Sequence, residues 1–381
     1  MRFSLIWRAM RPLFGTIVGV GVFGLPYAFA QAGYGIGLLE LLAVGGLTLV
    51  ALLLYADLLL VRKDHGRYLS VVGKDLNPIE RGLAGLAFFG SQFGTLLAYL
   101  IAGGSFAYGA FSPFLHGNAS AYVIVFWAGC SVLLLGGASL VLRVQGWLLP
   151  LLGFLVVILA VVLGPQIHVA NLLVLHPDRF TLPFGIALFA FGGIASIPEI
   201  RDLVHGDRKN MYRALSVGIL LIFVFYVFFT LLVVSVTGES TTEQALEGLS
   251  GLAGPFVSII GNLLGLAIVT GAFLAVGTSL TGTFVYDLQT RFVLAWGATV
   301  FIPLLIFLAG ATNLVSVIGV TGGILAALMG VFLIIAYERA RNSHELAKNT
   351  LAIPQWLVLL TFLMYAGMVM VTIFSLATLS L

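Results

Sequence analysis

The chain has 381 residues, of which 60% are hydrophobic and only 9% charged, with a mean hydropathy of +1.13. Soluble chains carry about 25% charged residues, so a water-soluble fold is excluded and lipid must solvate much of this surface. The net charge of +3 is no nucleic-acid signal, because the basic residues are sorted by topology, and the single cysteine, Cys130, excludes an intramolecular disulfide.

Backbone groups cannot go unpaired in hydrocarbon, so each long apolar run must be helical or belong to a closed barrel. The runs far exceed the roughly 10-residue alternating strands of a barrel. Taken in chain order, they predict eleven membrane helices over 10–33, 35–61, 80–112, 120–142, 145–164, 182–204, 211–236, 255–287, 292–310, 312–337 and 353–379. The start imitates a secretory signal, since Arg2, Arg8 and Arg11 precede an apolar stretch and Ala28-Phe29-Ala30 resembles a cleavage site. Its glycine interruptions and Pro26 fit a retained first span better. With the N-terminus cytoplasmic, 17 of the 18 basic residues, including Lys63, Arg67 and Lys348, fall on inside segments, and only Arg179 falls outside. The positive-inside rule then places the N-terminus inside and the C-terminus outside. No segment reads as a separate soluble domain, so residues 1–381 form one transmembrane unit. The stretch 242–247, with Glu243 and Glu247, can form a short amphipathic helix over the outer face.

The most informative segment is the first span, where Gly15, Gly19, Gly21, Gly24 and Pro26 fall within one short stretch. Each glycine costs about 1 kcal/mol relative to alanine in a helix and proline about 3, which disfavours an unbroken helix. The sixth span repeats the pattern. Phe14-Gly15 and Phe184-Gly185 open the two stretches, and a glycine precedes a proline by five residues in each, Gly21 to Pro26 and Gly193 to Pro198. The breaks are equivalent if 8–164 and 182–337 are five-helix repeats, with 353–379 an extra helix. Five is odd, so such repeats are inverted in the membrane. Paired broken helices point to a transporter binding site. Exposed amides and half-helix N-termini attract a carboxylate, freed carbonyls hold an ammonium or a cation, and an α-amino acid presents both ends. Short Ala195 and Ser196 beside the second break leave room for a side chain. The competing role for membrane glycines is close helix packing, expected for Gly45-Gly46, Gly103-Gly104, Gly136-Gly137 and Gly322-Gly323.

Gly19-Val20-Gly21-Val22-Phe23-Gly24-Leu25-Pro26-Tyr27-Ala28 resembles the first-helix signature of the amino acid/auxin permease family. Phe189-Ala190-Phe191-Gly192-Gly193 with Pro198-Glu199-Ile200 resembles its sixth-helix signature. Within that family the chain is similar to bacterial aromatic and hydroxy amino acid permeases. The resemblance is specific at the first and sixth spans and weak elsewhere. It implies an all-α polytopic fold of eleven helices, a 5+5 inverted repeat like the leucine transporter fold, with helices 1 and 6 broken, in a bacterial or archaeal plasma membrane. It implies that the amides around Gly19, Val20 and Gly21 hold a substrate carboxylate, and that carbonyls near Phe189, Ala190 and Phe191, beside Gly192 and Gly193, hold the amine. Sodium-coupled members of this fold place the ion between first-span carbonyls, here Gly15 and Val18, and an eighth-span hydroxyl pair, here Thr278 and Ser279, with the carbonyl of Ala275 one turn before. The fifth span has no lysine to replace such an ion. Thr278 and Ser279 can instead bond their own helix backbone.

Ionisable residues within membrane spans default to function. Glu40 is either a proton-coupling carboxylate or a structural partner for another helix, whereas Asp57, near Arg62, fits a structural role. Glu199, within a turn of Arg201, can pair with a cytoplasmic arginine to close an inner gate. Asp287 can meet Arg8 or Arg11 at the base of the first span. Ser91, Thr95 and Tyr99, spaced four apart with Gln92 beside them, share a helical face and form either a pocket wall or interhelical bonds. The expected function is alternating-access transport of a neutral or aromatic L-amino acid, coupled to Na+. The alternatives are proton coupling or exchange, or a substrate sensor on a transporter fold. No enzyme is expected, because His65, His116, His168, His176, His205 and His344 all fall in loops or at span ends. No cofactor beyond a coupling Na+ or H+ and no nucleic-acid partner are expected.

Overall fold

The structure, a computed structural model, describes residues 2–62, 66–245, 250–343, 351 and 353–379. Lys63, His65, Glu247, His344 and Lys348 lie outside the described residues, so the 242–247 stretch is described only as far as 245. All regular structure among the described residues is helical, without a strand. In chain order the main helices are α1 (Arg2–Ile17), α2 (Gly21–Ala32), α3 (Tyr34–Arg62), α4 (Tyr68–Val72), α5 (Pro78–Phe111), α6 (Ala119–Leu134), α7 (Gly137–Leu163), α8 (Thr181–Ala190), α9 (Ile197–Leu203), α10 (Arg208–Thr237), α11 (Ser250–Tyr286), α12 (Phe292–Leu308), α13 (Leu314–Val320), α14 (Ala327–Asn342) and α15 (Gln355–Leu379).

Seven segments are long and apolar enough to cross a bilayer, and the pair Leu5–Ile17 and Gly21–Ala32, bent by 59°, makes an eighth. Three shorter apolar helices, Ala119–Leu134, Pro150–Gln166 and Phe292–Leu308, fall in the remaining stretches. Length and composition alone therefore do not establish the eleven spans expected from the sequence, although each expected stretch contains an apolar helix.

One expected boundary is wrong. The turn between the fourth and fifth helices falls at Leu135 and Gly136, not at residues 143–144, and Gly137 has φ +73°. Glycine adopts that left-handed conformation without the Cβ penalty of other residues, so Gly136-Gly137 makes a turn rather than a packing contact. The helix then runs through Arg143 without interruption. The tenth helix also continues past 337 to Asn342, through a π-helical stretch at Thr321–Ala326. Of the other glycine pairs, Gly103-Gly104 and Gly322-Gly323 pack, whereas in Gly45-Gly46 only Gly45 does, against the Phe191 ring. Gly103 and Gly104 lie against Phe126 and Val123, and a methyl on Gly322 would sit 2.7 Å from the carbonyl oxygen of Gly185.

α2 packs on α8, α1 on α10, and α5 on α11. The centre is aromatic. Phe23 of α2 meets Phe106 of α5 edge-on at 4.8 Å and Phe229 of α10 at 5.9 Å. Trp147, Phe154, Leu220, Phe228, Leu359 and Phe374 are exposed on the outside of the bundle, as a lipid-solvated protein allows. One end gathers the basic residues. Arg339 of α14 forks onto Glu80 at 2.5 and 2.8 Å and reaches the Asp75 carbonyl at 2.9 Å, while Arg62 pairs with Asp75. At the opposite end Arg179 donates to Gln31, and His176 meets Glu239 at 2.7 Å.

Candidate functional site

The first break spans Val18, Gly19 and Val20. The Gly19 amide turns to the Ile17 carbonyl (3.0 Å) and the Val22 amide to the Gly19 carbonyl (3.4 Å). The carbonyls of Gly15 and Val18 thus lose the amides that an unbroken helix would aim at them. The Val20 amide makes no backbone hydrogen bond to Thr16. In the second break the Gly192 amide donates to Phe189 O at 3.0 Å, and Ser196 donates from both its amide and its hydroxyl to Gly193 O, at 3.1 and 2.8 Å. Of the three carbonyls expected to hold the amine, Phe189 O is thereby engaged and Ala190 O accepts from a tyrosine. No backbone amide reaches Phe191 O.

The breaks touch. A methyl on Gly21 would lie 2.7 Å from Ala190 Cα, and one on Gly193 would lie 2.7 Å from the Ile17 side chain. Tyr226 of α10 is fully buried, and its hydroxyl lies 2.8 Å from Ala190 O and 3.1 Å from Ile17 O, so its one proton is shared between these two carbonyls. Those carbonyls end α8 and α1, so two half-helix C-termini, each carrying about half a negative charge, converge on one hydroxyl. Sequence analysis missed Tyr226. The available signal is a lone hydroxyl among Phe223, Phe225, Phe228 and Phe229 in mid-span, because a buried tyrosine hydroxyl needs a partner.

Beside the breaks is a cavity of about 50 Å³, lined by Thr16, Ser91, Gln92, Thr95, Tyr99, Phe189, Gly192, Ile194, Ala195, Val276, Ala326 and Met329. The polar face of α5 and one wall of the second break are therefore brought together. Gly19, Val20, Gly21, Ala190, Phe191 and Gly193 do not line it. The cause at the first break is Tyr99, whose ring covers Gly19 and whose hydroxyl donates to Thr16 O at 3.4 Å. Phe191 turns away, with its ring against Gly45 and edge-on to Tyr226 at 5.3 Å. Thr95 also donates to Ser91 O within its own helix. The volume is far below the roughly 300–1,000 Å³ of pockets that enclose drug-sized ligands, so the cavity must widen to take a large side chain.

On α11, the Thr278 hydroxyl oxygen is buried without a hydrogen-bond partner. Ser279 is engaged, donating to Ala195 O at 3.0 Å and accepting from Arg67 Nη1 at 3.2 Å. Arg67, from the α3–α5 connection, also reaches Ser279 O at 3.4 Å, lies 3.8 Å from Glu199, packs on Gly282 and stacks over Tyr286 at 5.6 Å. Glu199 thus faces an arginine of the segments expected inside, Arg67, while its neighbour Arg201 turns its guanidinium to Asp202 at 2.9 Å. One expected ion pair is corrected. Asp287 meets neither Arg8 nor Arg11. Its oxygens accept the backbone amides of Arg67 (2.9 Å) and Ser70 (3.2 Å) at the start of α4, where an anion is favoured. Arg11 lies against Gly146 of α7, its Nε buried without a partner. Deeper in the bilayer region, one Glu40 oxygen is buried without a partner. Asp57 accepts from the Tyr212 hydroxyl and from the Leu351 amide at 3.2 Å.

Two touching helix breaks beside a polar cavity are the arrangement of a membrane transporter's binding site. A family model described as transmembrane amino acid transporter protein matches residues 4–377. The chain belongs to that family. Among 175 matching chains of solved structures is MhsT in complex with L-phenylalanine, with a TM-score of 0.71, 16% identity and 98% of each chain covered. That likeness gives the chain the leucine transporter-like fold. No curated protein matches it in sequence.

Proposed function

We propose that this protein is a secondary active transporter of a neutral or aromatic L-amino acid, working by alternating access with a coupling cation. The observation that carries this reading is the convergence of both breaks on Tyr226, next to a cavity walled by Gln92, Thr95 and Tyr99. Two negative helix ends and the open Phe191 carbonyl suit an ammonium group. The amides around Gly19 to Gly21 suit a carboxylate once the Tyr99 ring swings off Gly19. The family membership and the L-phenylalanine bound in MhsT support an amino acid as cargo.

Na+ is the favoured coupling ion. The freed Gly15 and Val18 carbonyls and the unpartnered Thr278 hydroxyl are hard oxygen donors, and with Ala275 and Ser279 they make up the proposed ligand set. Arg67 on Ser279 opposes a cation there, so ion binding and the Arg67 contact exclude one another. A second reading, proton coupling, rests on the unpartnered oxygen of Glu40. No other cofactor is assigned. The sorting of basic residues favours a cytoplasmic N-terminus, with the basic end of the bundle facing inward, and the similarity to bacterial permeases favours a prokaryotic plasma membrane.

The test is uptake of radiolabelled neutral and aromatic amino acids into proteoliposomes under a sodium gradient, a proton gradient or neither. Sodium-driven uptake that is lost in Thr278→Ala supports cargo and ion site together. Uptake driven by protons alone and lost in Glu40→Gln replaces sodium with the second reading. Folded protein that takes up no amino acid under any condition refutes the cargo assignment.

A further inference from the structure

The basic end holds a second and larger cavity, about 400 Å³, separate from the one beside the helix breaks. It lies between the α4 segment (Leu69, Ser70, Gly73, Lys74), the first turns of α5 (Arg81, Gly82, Gly85, Phe89) and the end of α11 (Asp287, Leu288). Its chemistry is divided. Lys74 and Arg81 are exposed at the rim, with the Arg81 Nε anchored on Gly73 O at 2.8 Å. Gly82, Gly85 and Phe89 form a side-chain-poor apolar stripe along one face of α5. A methyl built on Gly82 meets nothing within 4 Å. The one carboxylate in the wall, Asp287, is already engaged by two backbone amides.

The surroundings fix the depth. Ile79, Leu83 and Leu86, on the same turns of α5, are 77%, 50% and 72% exposed, which in an apolar span means that they face acyl chains. The cavity therefore opens where headgroups meet hydrocarbon, with positive charge on the outer side and an apolar groove on the inner side. We propose that it binds an anionic phospholipid, with the phosphate held by Lys74 and Arg81 and the first part of an acyl chain lying along Gly82, Gly85 and Phe89. Basic pockets between membrane helices suit anionic headgroups, and a juxtamembrane basic residue strengthens such binding about fivefold. The bound lipid would brace the Ser70–Asp287 wall that positions Arg67.

The full-length protein, in nanodiscs of mixed phosphatidylglycerol and phosphatidylcholine, would be released and examined by native mass spectrometry for retained lipid. Retention of phosphatidylglycerol over phosphatidylcholine is expected, weakened about fivefold by Lys74→Gln and more by Lys74→Gln with Arg81→Gln. Gly82→Leu, whose Cβ enters open space, should remove the lipid while leaving both basic residues in place. Equal retention of the two lipids, or no effect of Lys74→Gln, overturns the proposal. Displacement by inorganic phosphate together with indifference to Gly82→Leu also overturns it, by assigning the basic rim to a soluble anion.

Discussion

Arg67→Ala removes the central contact of the basic end. In the structure its guanidinium donates to Ser279 Oγ at 3.2 Å and faces Glu199 at 3.8 Å, with side chains 14% and 19% exposed. A hydrogen bond to a charged group contributes about 1.5–3 kcal/mol, and breaking a fully buried ion pair costs about 3–5. The Glu199 pair is long and not fully dry, so its share is discounted, leaving about 2–3 kcal/mol for the whole contact. If the contact exists only when the basic end is closed, its loss shifts the closed-to-open ratio about 30- to 150-fold towards open. The assay places a cysteine at Ser91 in the cavity of a Cys130→Ser protein and measures labelling by an impermeant thiol reagent from the basic side. Arg67→Ala should label at least tenfold faster. Arg67→Lys should fall between, because lysine keeps the charge and loses the planar fork. A rate within twofold of the parent, in protein that still binds substrate, would refute Arg67 as the closing contact.

Gly21→Ala should abolish transport, since its methyl would meet the Ala190 backbone at 2.7 Å; Gly24→Ala meets only side-chain methyls, Ile186 Cγ2 at 3.4 Å and Ile318 Cδ1 at 3.9 Å, and should retain uptake and gain up to about 1 kcal/mol in thermal unfolding. Tyr226→Phe deletes the hydroxyl bonded to both breaks, so melting should show a loss of about 1–2 kcal/mol and uptake should fall even where the folded fraction is restored. Asp287→Asn leaves an oxygen for one of the two amides it now holds and weakens the anchoring of α4; the same thiol assay should report faster labelling, though less than for Arg67→Ala.

The spans and both breaks are legible in the sequence because their causes are local. Hydrophobic run length sets the first, and glycine and proline at matched positions set the second. What the sequence hides is which side chain reaches which backbone. Arg67 reads as one more inside arginine, yet a short helix held by Asp287 directs it into α11, where Gly282 leaves room for it. Asp287 is placed at the correct end of its span, but no spacing rule shows that two backbone amides at the start of α4, 217 and 220 residues away, take its oxygens. The turn at Gly136-Gly137 is hidden for a different reason. The apolar run continues across it, so hydropathy alone puts the boundary at the next polar residues, around Arg143.

The two breaks are tethered in a related way but with unequal strength. In the inverted-repeat scheme α5 and α11 are corresponding third helices. Each sends a hydroxyl to a carbonyl beside its own break, Tyr99 to Thr16 O and Ser279 to Ala195 O. The first tether is a neutral hydrogen bond of 3.4 Å, long for an O–H donor and correspondingly weak. The second is 3.0 Å and is reinforced by a guanidinium and a facing carboxylate. Releasing the first therefore costs less, and its release swings the Tyr99 ring from Gly19 and opens the amides of the first break to the cavity. On the proposed function, a substrate carboxylate bound to those amides would stabilise the released state. A coupling cation at Thr278 and Ser279 would act on the stronger tether, because its charge would repel Arg67. Substrate and ion would then each loosen one tether, which is a physical basis for coupled movement.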